Sequence, residues 1–254
     1  RMVKFMKKRI LGLIPTRLGS KRLPAKALLP INGYPLIVHV YRRAKLSKIL
    51  NDVVVCCDDK KILNVAKMYN VKCVLTSKKH TNGTERIYEG YKKLKKKYDF
   101  IVDIQGDEPL INPKHIDQVA KYHIKNNKTD IILPTLKIKM TNNTNLIKVV
   151  TNNFDDVLYL SRSNIPLEFK KKNKYIKKHL SIISFNPEAL RKFYYTKKGK
   201  LESIEDIELL RALEAGLKIK TLNLKGESFS IDVKRDYLRA KEKFKSDRIF
   251  KKYL

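Results

Sequence analysis

Two short stretches carry residue types and spacings that could act on a phosphate chain. The first is ILGLIPTRLGSKRLPAK, residues Ile10 to Lys26. Its apolar run Ile10–Ile14 has the length of a buried strand. Pro15 then opens a loop with Gly19, Ser20 and four cations, Arg17, Lys21, Arg22 and Lys26. In an open α/β sheet such a loop lies at the carboxyl end of a strand, where backbone N–H groups and cations hold anions. It is neither G-x-x-x-x-G-K-[ST] nor G-x-G-x-x-G. The second stretch is QGDEPLINP, residues 105–113, directly after the apolar run Phe100–Ile104. A carboxylate on a glycine turn at that point faces the same crevice. Mg²⁺ prefers one or two carboxylates completed by phosphate oxygens and water. Asp107 therefore suits such a metal, with Glu108 capping the turn that follows. A basic surface loop and an ordinary turn aspartate are the plain alternatives.

Elements able to position these residues follow from periodicity. Pro35–Leu46 is expected to be a helix, with Leu36, Val40 and Ala44 on one face and His39 used for packing. DVVVCCDD is a strand ending at Asp58–Asp59, followed by a helix Lys60–Tyr69 and a strand Val71–Leu75. This βαβαβ alternation implies a parallel sheet with right-handed crossovers. TSKKHTNGTERI, 76–87, is a polar loop entering a helix at Thr84 or Glu85, and Ile87–Lys97 continues as helix. His115–Asn126 reads as a helix capped by Asn112 with Pro113 in first position, and Asp130–Lys139 as a strand. One helix is expected from Leu201 to Ala215. It carries Glu202, Glu205 and Glu208 on one face, and Gly216 is its stop. Asp232 is placed at a strand end. The expected fold is α/β, a single Rossmann-like domain spanning 1–254, with a mostly parallel central sheet and helices on both faces.

The composition, 43% hydrophobic and 32% charged, describes a globular chain, and 254 residues suffice for one full core. A net charge of +32 favours polyanionic ligands. Runs such as YKKLKKKYD (91–99) and KKKNKYIKK (170–178) read as solvated faces. No zinc-finger spacing or RNP-type motif accompanies the charge, so nucleic acid is not expected as a partner. Cys56, Cys57 and Cys73 form no C-x-x-C, and their odd number argues against a secreted disulfide framework. Reduced thiols in the cytoplasm are expected. The opening RMVKFMKKRILGLIP is basic then apolar, but its apolar run is too short for a signal sequence. No stretch approaches a membrane span, so no membrane partner is expected.

The motifs, taken together and in order, resemble one family. I-P-T-R-L-G-S-K-R-L-P-A-K is similar to the signature of sugar nucleotidyltransferases, and more narrowly of the 3-deoxy-manno-octulosonate (Kdo) cytidylyltransferases, or CMP-Kdo synthetases. TSKKHTNGTERI resembles T-S-x-x-H-x-S-G-T-D/E-R-I. NLIKVVTNNFDDVLYLSRSNIP (145–166) resembles N-P-N-x-V-K-V-V…A-L-Y-F-S-R-S-x-I-P, and HLSIISF (179–185) resembles H-L-G-I-Y-G/A-Y. LESIEDIELLRAL resembles L-E-x-x-E-x-L-E-Q-L-R-x-L, and FSIDVKRDYL resembles G-V-D-T-P-E-D-L. The likeness runs from about Ile10 to Leu238. Departures are Asn82, Ser181, Ile183, Ser184, Leu209, Val233 and Lys234.

The resemblance implies a fold of the nucleotide-diphospho-sugar transferase type. It implies a reaction of CTP with an acidic 2-keto sugar to give CMP-sugar and pyrophosphate, feeding lipopolysaccharide or capsule assembly from the cytoplasm. Arg17, Arg22 and Lys26 would hold the triphosphate. Asp107 and Asp232 would hold Mg²⁺, and Ser77, Gly83 and Thr84 would surround the cytosine. Gln105 would lie near the ribose or sugar, and Arg162, His179, Glu205 and Glu208 would bind the sugar. The family also implies a homodimer, with residues about 150–200 serving dimerisation and sugar binding. A synthetase for amino-modified Kdo or for a sialic-acid-like sugar is the near rival. A basic nucleic-acid-binding protein is the distant one.

Overall fold

The computed structural model describes residues 8–20 and 22–253. Lys21, one of the four loop cations, and most of the basic opening lie outside the described residues. β1 (Ile10–Thr16) is buried at all seven positions, as a strand with helices over both faces must be. A small hairpin, β2 (Pro30–Ile31) and β3 (Tyr34–Pro35), leads into α1 (Leu36–Lys45). β4 (Asp52–Cys57), α2 (Lys60–Met68) and β5 (Cys73–Leu75) follow, then α3 (Gly83–Lys93), β6 (Phe100–Ile104) and α4 (Pro113–Lys125). β5, β4, β1 and β6 are neighbours in that order and run parallel, the expected crossover pattern. Asn112 caps α4 through the Lys114 N–H, with Pro113 in its first turn. α3 begins one residue earlier than expected, because the Asn82 side chain accepts from the Glu85 N–H at 2.8 Å, and it ends at Lys93 rather than Lys97.

The second half corrects the expectation of a mostly parallel sheet. β7 (Ile131–Lys139), β8 (Lys148–Thr151), β9 (Val157–Ser161), β10 (Tyr175–His179) and β11 (Ile182–Phe185) follow with no helix between them. Without a helical crossover, sequential neighbours pair antiparallel. β7–β10, β10–β8, β8–β9, β11–β6 and β11–β7 all do so. α5 (Pro187–Tyr195), α6 (Lys200–Glu205), α7 (Leu209–Glu214), β12 (Ile219–Leu224) and α8 (Lys234–Lys245) complete the described chain. β12 returns parallel to β7, so the ten-stranded sheet is mixed.

β10 and β11 are one ribbon along β7, bent at Leu180–Ser181. Its first half pairs with β8 on the outer side and its second half with β6. Gln105 N–H donates to Ser181 O, while His179 N–H donates to Ile147 O. Two strands thus leave the same edge at that bend and open a crevice at the carboxyl end of β6.

Helices cover both faces, as expected. α1, α2, α4 and α8 share one buried cluster, and α3, α5 and α7 share the other. The expected single helix 201–215 is two helices. Asp206 adopts a left-handed conformation (φ 53°) that ends α6, and Ile204, an apolar residue at helical spacing from Leu201 and Ile207, is 69% exposed. Gly216, with φ +72°, stops α7 as expected. The thiols of Cys56, Cys57 and Cys73 are free. His39 packs as expected, buried, with Nε2 2.7 Å from Ile31 O and Nδ1 2.9 Å from Tyr253 Oη.

Burial pushes both His39 and His123 down to about 4. The unfolded chain, with imidazoles near 6.5, therefore binds more protons between pH 6.5 and 4, and stability falls as pH falls through that window. Each group contributes up to about 3 kcal/mol to that loss. His123→Gln is expected to flatten the acid limb relative to wild type. Urea unfolding midpoints at several pH values between 4 and 7 check this.

Candidate active site

The basic loop starts where β1 ends. Leu18 N–H donates to Asp58 Oδ1 at 2.9 Å, which ties the loop to the end of β4. The loop closes at a short 3₁₀ turn, Lys26–Leu28, preceded by Ala25 in a left-handed conformation. Gly106 lies against β1: a Cβ there would stand 2.4 Å from Pro15 O. Only glycine lets the QGDEP turn and the basic loop share one wall.

Between them is a cleft of about 500 Å³ lined by Arg17, Arg22, Lys26, Gln105, Asp107 and Asp232, among others. Asp232 was expected at a strand end. It lies instead in irregular chain just before α8, where Ile231 N–H donates to Asp107 O at 3.0 Å. Lys26 Nζ sits 2.8 Å from Asp107 Oδ2, 3.6 Å from Asp232 Oδ1 and 2.6 Å from Ile231 O. Arg22 Nη2 is 2.9 Å from Asp232 Oδ1. Two carboxylates thus converge on a single point occupied by an ammonium group. That donor set fits Mg²⁺, which takes its remaining ligands from phosphate and water. No cluster of three metal-ligating side chains exists among the described residues.

The opposite wall is the 76–84 loop and the start of α3. Gly83 lines the cleft with Asn82, His80 and Arg86. Arg86 was missed in the residue-level reading, although it stands in the matched T-E-R-I. Its guanidinium is held by Thr76 Oγ1 at 2.8 Å and Ser77 O at 3.1 Å. Ser77 itself, expected at the base, turns its groups into the loop, with N–H donating to Glu89 Oε2 at 2.8 Å and Oγ accepting from Lys79 N–H. Burial alone would raise the Glu89 carboxyl. Hydrogen bonds from Lys93, the Ser77 N–H and His80 outweigh it and hold Glu89 down to about 2. Thr84 is fully buried beneath the loop, and its N–H donates to Glu208 Oε2 at 3.3 Å.

A second cavity, about 220 Å³, shares Thr81, Asn82 and Gly83 with the first and is also lined by His179, Glu208, Leu209 and Ile147. Burial, reinforced by Lys178, pushes the His179 imidazole down to about 4, so it is neutral near pH 7. Burial raises the Glu208 carboxyl. Arg162 and Glu205, both expected on the sugar, stand behind this cavity. Arg162 donates to the carbonyls of Glu205 (2.8 Å), Asp206 (3.0 Å) and Thr144 (3.2 Å). Glu205 accepts from Ser161 Oγ at 2.6 Å and Arg162 N–H at 3.0 Å. These bonds satisfy the open carbonyls where α6 breaks.

The profile of the cytidylyltransferase family matches residues 11–219. A 3-deoxy-manno-octulosonate cytidylyltransferase of Thermodesulfovibrio yellowstonii is 38% identical, over 88% of this chain and 93% of the relative. An 8-amino-3,8-dideoxy-manno-octulosonate cytidylyltransferase of Shewanella baltica is 36% identical, over 92% of this chain and 98% of the relative. The solved structure of a CMP:2-keto-3-deoxy-manno-octonic acid synthetase complexed with CTP superposes with a TM-score of 0.87 at 28% identity, covering 93% of this chain and 98% of that one. The chain belongs to the cytidylyltransferase family and is a nucleotidyltransferase of the CMP-Kdo-synthetase-like kind.

Because Lys26 stands between Asp107 and Asp232, a divalent cation must compete with its ammonium for both carboxylates. Lys26→Met is expected to strengthen Mn²⁺ binding to the nucleotide-free protein by at least about 10-fold, about 1.4 kcal/mol. Titration calorimetry without nucleotide reads this directly. Unchanged Mn²⁺ affinity would mean that the metal does not use this pair.

Proposed function

We propose that this chain transfers the CMP group of CTP to the anomeric hydroxyl of an acidic 2-keto sugar, either 3-deoxy-manno-octulosonate or its 8-amino form. The hydroxyl oxygen forms a bond to the α-phosphorus, the bond to the bridging oxygen breaks, and pyrophosphate leaves. The hydroxyl proton goes to water. The observation that carries this reading is the convergence of Asp107 and Asp232 under a basic loop, next to a second, sugar-sized cavity.

Transfers of this kind depend on positioning and charge neutralisation. Arg17, Arg22 and Lys26 would neutralise the triphosphate and the leaving pyrophosphate. An arriving nucleotide offers Lys26 and Arg22 new anionic partners, which frees the two carboxylates. Asp107 and Asp232 would hold Mg²⁺, which when bound supplies Lewis-acid polarisation at the α-phosphate. Gly83, Asn82 and Arg86 would frame the cytosine, with Thr84 and Ser77 supporting that loop from behind. Gln105, His179 and Glu208 would orient the sugar, while Arg162 and Glu205 would keep the α6–α7 break open beneath it.

Exposed Phe154, Leu158, Leu167 and Phe169, in or beside the antiparallel strands, are read as the contact of a homodimer. The cytoplasm, where CTP is available, is its place of action. Sedimentation of the full chain at micromolar concentration is expected to give a dimer, and Phe169→Asp with Leu167→Asp is expected to shift it to monomer.

The decisive experiment is pyrophosphate release from CTP with each sugar in Mg²⁺. Release with at least one sugar, and none with ATP in place of CTP, is expected. Asp107→Asn and Asp232→Asn are each expected to lower turnover at least about 100-fold, about 2.7 kcal/mol of barrier. Near-normal turnover of either variant at saturating Mg²⁺ would remove that residue from the site.

A further inference from the structure

Two of the three thiols face each other across the sheet. Cys57, at the end of β4, and Cys73, at the start of β5, have their Sγ atoms 3.3 Å apart. Val55 stands opposite Cys73 and Cys57 opposite Leu75, so the two cysteines are diagonal neighbours on adjacent parallel strands. Both pack against the cluster that α1 and α2 cover. Cys56 belongs to the other face, where it packs so closely on Gly90 that a Cβ there would overlap its Sγ, and burial pushes its thiol up. Cys57 is buried, whereas Cys73 is partly exposed on β5, the edge strand of the sheet. A small solute thus meets the Cys57–Cys73 pair from the edge, while Cys56 is sealed.

The polar groups flanking this pair hold the two loops that face the cleft. Cys57 O accepts from Thr76 N–H at 2.7 Å and from Thr76 Oγ1 at 2.8 Å. The Thr76 hydroxyl in turn accepts from Arg86 Nη1 at 2.8 Å, and Arg86 is in the cleft lining. Asp58, next to Cys57, accepts the Leu18 N–H that ties down the basic loop, and its other oxygen is 3.8 Å from Arg86 Nη2. A displacement of these strand ends therefore reaches Leu18 and Arg86 through one or two hydrogen bonds each.

We propose that Cys57 and Cys73 form a reversible oxidation site that takes a hydroperoxide as its oxidant, and that their disulfide weakens nucleotide binding in the cleft. A disulfide holds its sulfurs about 2.05 Å apart, so these two must close by roughly 1.2 Å from their present contact. Diagonal neighbours on adjacent strands have Cα atoms about 7–8 Å apart, at or beyond the ~7 Å that a disulfide bridges without backbone movement. Closing the bond draws the ends of β4 and β5 together, and the hydrogen bonds to Leu18 and Arg86 weaken as their geometry is lost. The Cys73 thiol donates to Cys57 Sγ, so a Cys57 thiolate keeps a hydrogen bond, which holds Cys57 below the ordinary thiol value. Attack of that thiolate on a peroxide oxygen breaks the O–O bond and gives a sulfenic acid and one water. The Cys73 sulfur then attacks Cys57, the S–S bond forms and a second water leaves. Two thiols have lost two protons and two electrons, and one peroxide has become two waters. Thiol reductants reverse the step by exchange. The site stands on the contact between the sulfurs; its effect on nucleotide binding rests on the cytidylyltransferase reading above.

The full chain, first reduced and then treated with hydrogen peroxide, is expected to lose two free thiols, and a peptide map is expected to join Cys57 to Cys73. Titration calorimetry with CTP and Mg²⁺ is expected to show binding at least about 5-fold weaker after oxidation, and the original affinity again after dithiothreitol. Cys73→Ser is expected to bind CTP as wild type does and to keep that affinity in peroxide. Cys56→Ala is expected to respond to peroxide as wild type does. Free thiols that persist in peroxide, or a bridge between other cysteines, would overturn the site. A Cys57–Cys73 disulfide with unchanged CTP affinity, or the same loss of affinity in Cys73→Ser, would overturn its effect on the cleft. Reduced protein that fails to bind CTP would overturn the nucleotide reading and that effect with it, while the thiol count and the peptide map still decide the site.

Discussion

Two ionised carboxylates in one cleft repel each other unless a cation stands between them, and the cleft is arranged around that constraint. Lys26 supplies the cation. Its ammonium also bonds to Ile231 O, so one side chain ties the loop after β1, the turn after β6 and the segment before α8 into one wall. Coulombic attraction at these separations is substantial even when partly screened by water. The same three segments surround the phosphate-sized space. The interaction that organises the cleft is therefore one that an anionic ligand or a cation entering it would compete with.

The sheet determines where the second cavity lies. β6 and β8 follow the same edge of the β10–β11 ribbon and part at its bend. A sheet with parallel crossovers throughout would have kept that edge closed. The antiparallel excursion widens the crevice and places His179 on its floor, while the break between α6 and α7 sets Glu208 and Leu209 across from it. The break is held by Arg162, whose guanidinium takes the carbonyls that a continuous helix would have bonded internally. An arginine set between two serines is thus explained by a helix end as much as by a ligand.

The global charge and the local charge point in different directions. At +32 the chain attracts polyanions as a whole, and the first cleft agrees, with Arg17, Arg22 and Lys26 in its lining. The second cavity leans acidic, with Glu202, Asp206 and Glu208 in its lining. The two linings share Thr81, Asn82 and Gly83, so the contrast in charge lies across one short stretch of chain.

The contiguous motifs were legible from the sequence alone. The buried strand Ile10–Ile14, its basic loop and Asp107 on a glycine turn follow from apolar run length and from the rule that ligands gather at strand carboxyl ends. The parallel half of the sheet was legible for the same reason, since helix and strand alternate there. After Lys125 the strand expected at 130–139 and the stop at Gly216 were legible, but the antiparallel pairings were not, because pairing direction among short strands depends on which edges are open, and a linear pattern does not carry that. Periodicity joined α6 and α7 into one helix, since a left-handed Asp206 leaves no mark in the hydrophobic spacing. Asp103 looked like one more residue of an apolar strand, FIVDI, and Arg86 like one more helix cation. The burial of Asp103, the place of Arg86 in the cleft lining, and the inward turn of Ser77, Arg162 and Glu205 were decided by tertiary packing. Which donors a side chain has left over depends on backbone groups brought near it from distant parts of the chain.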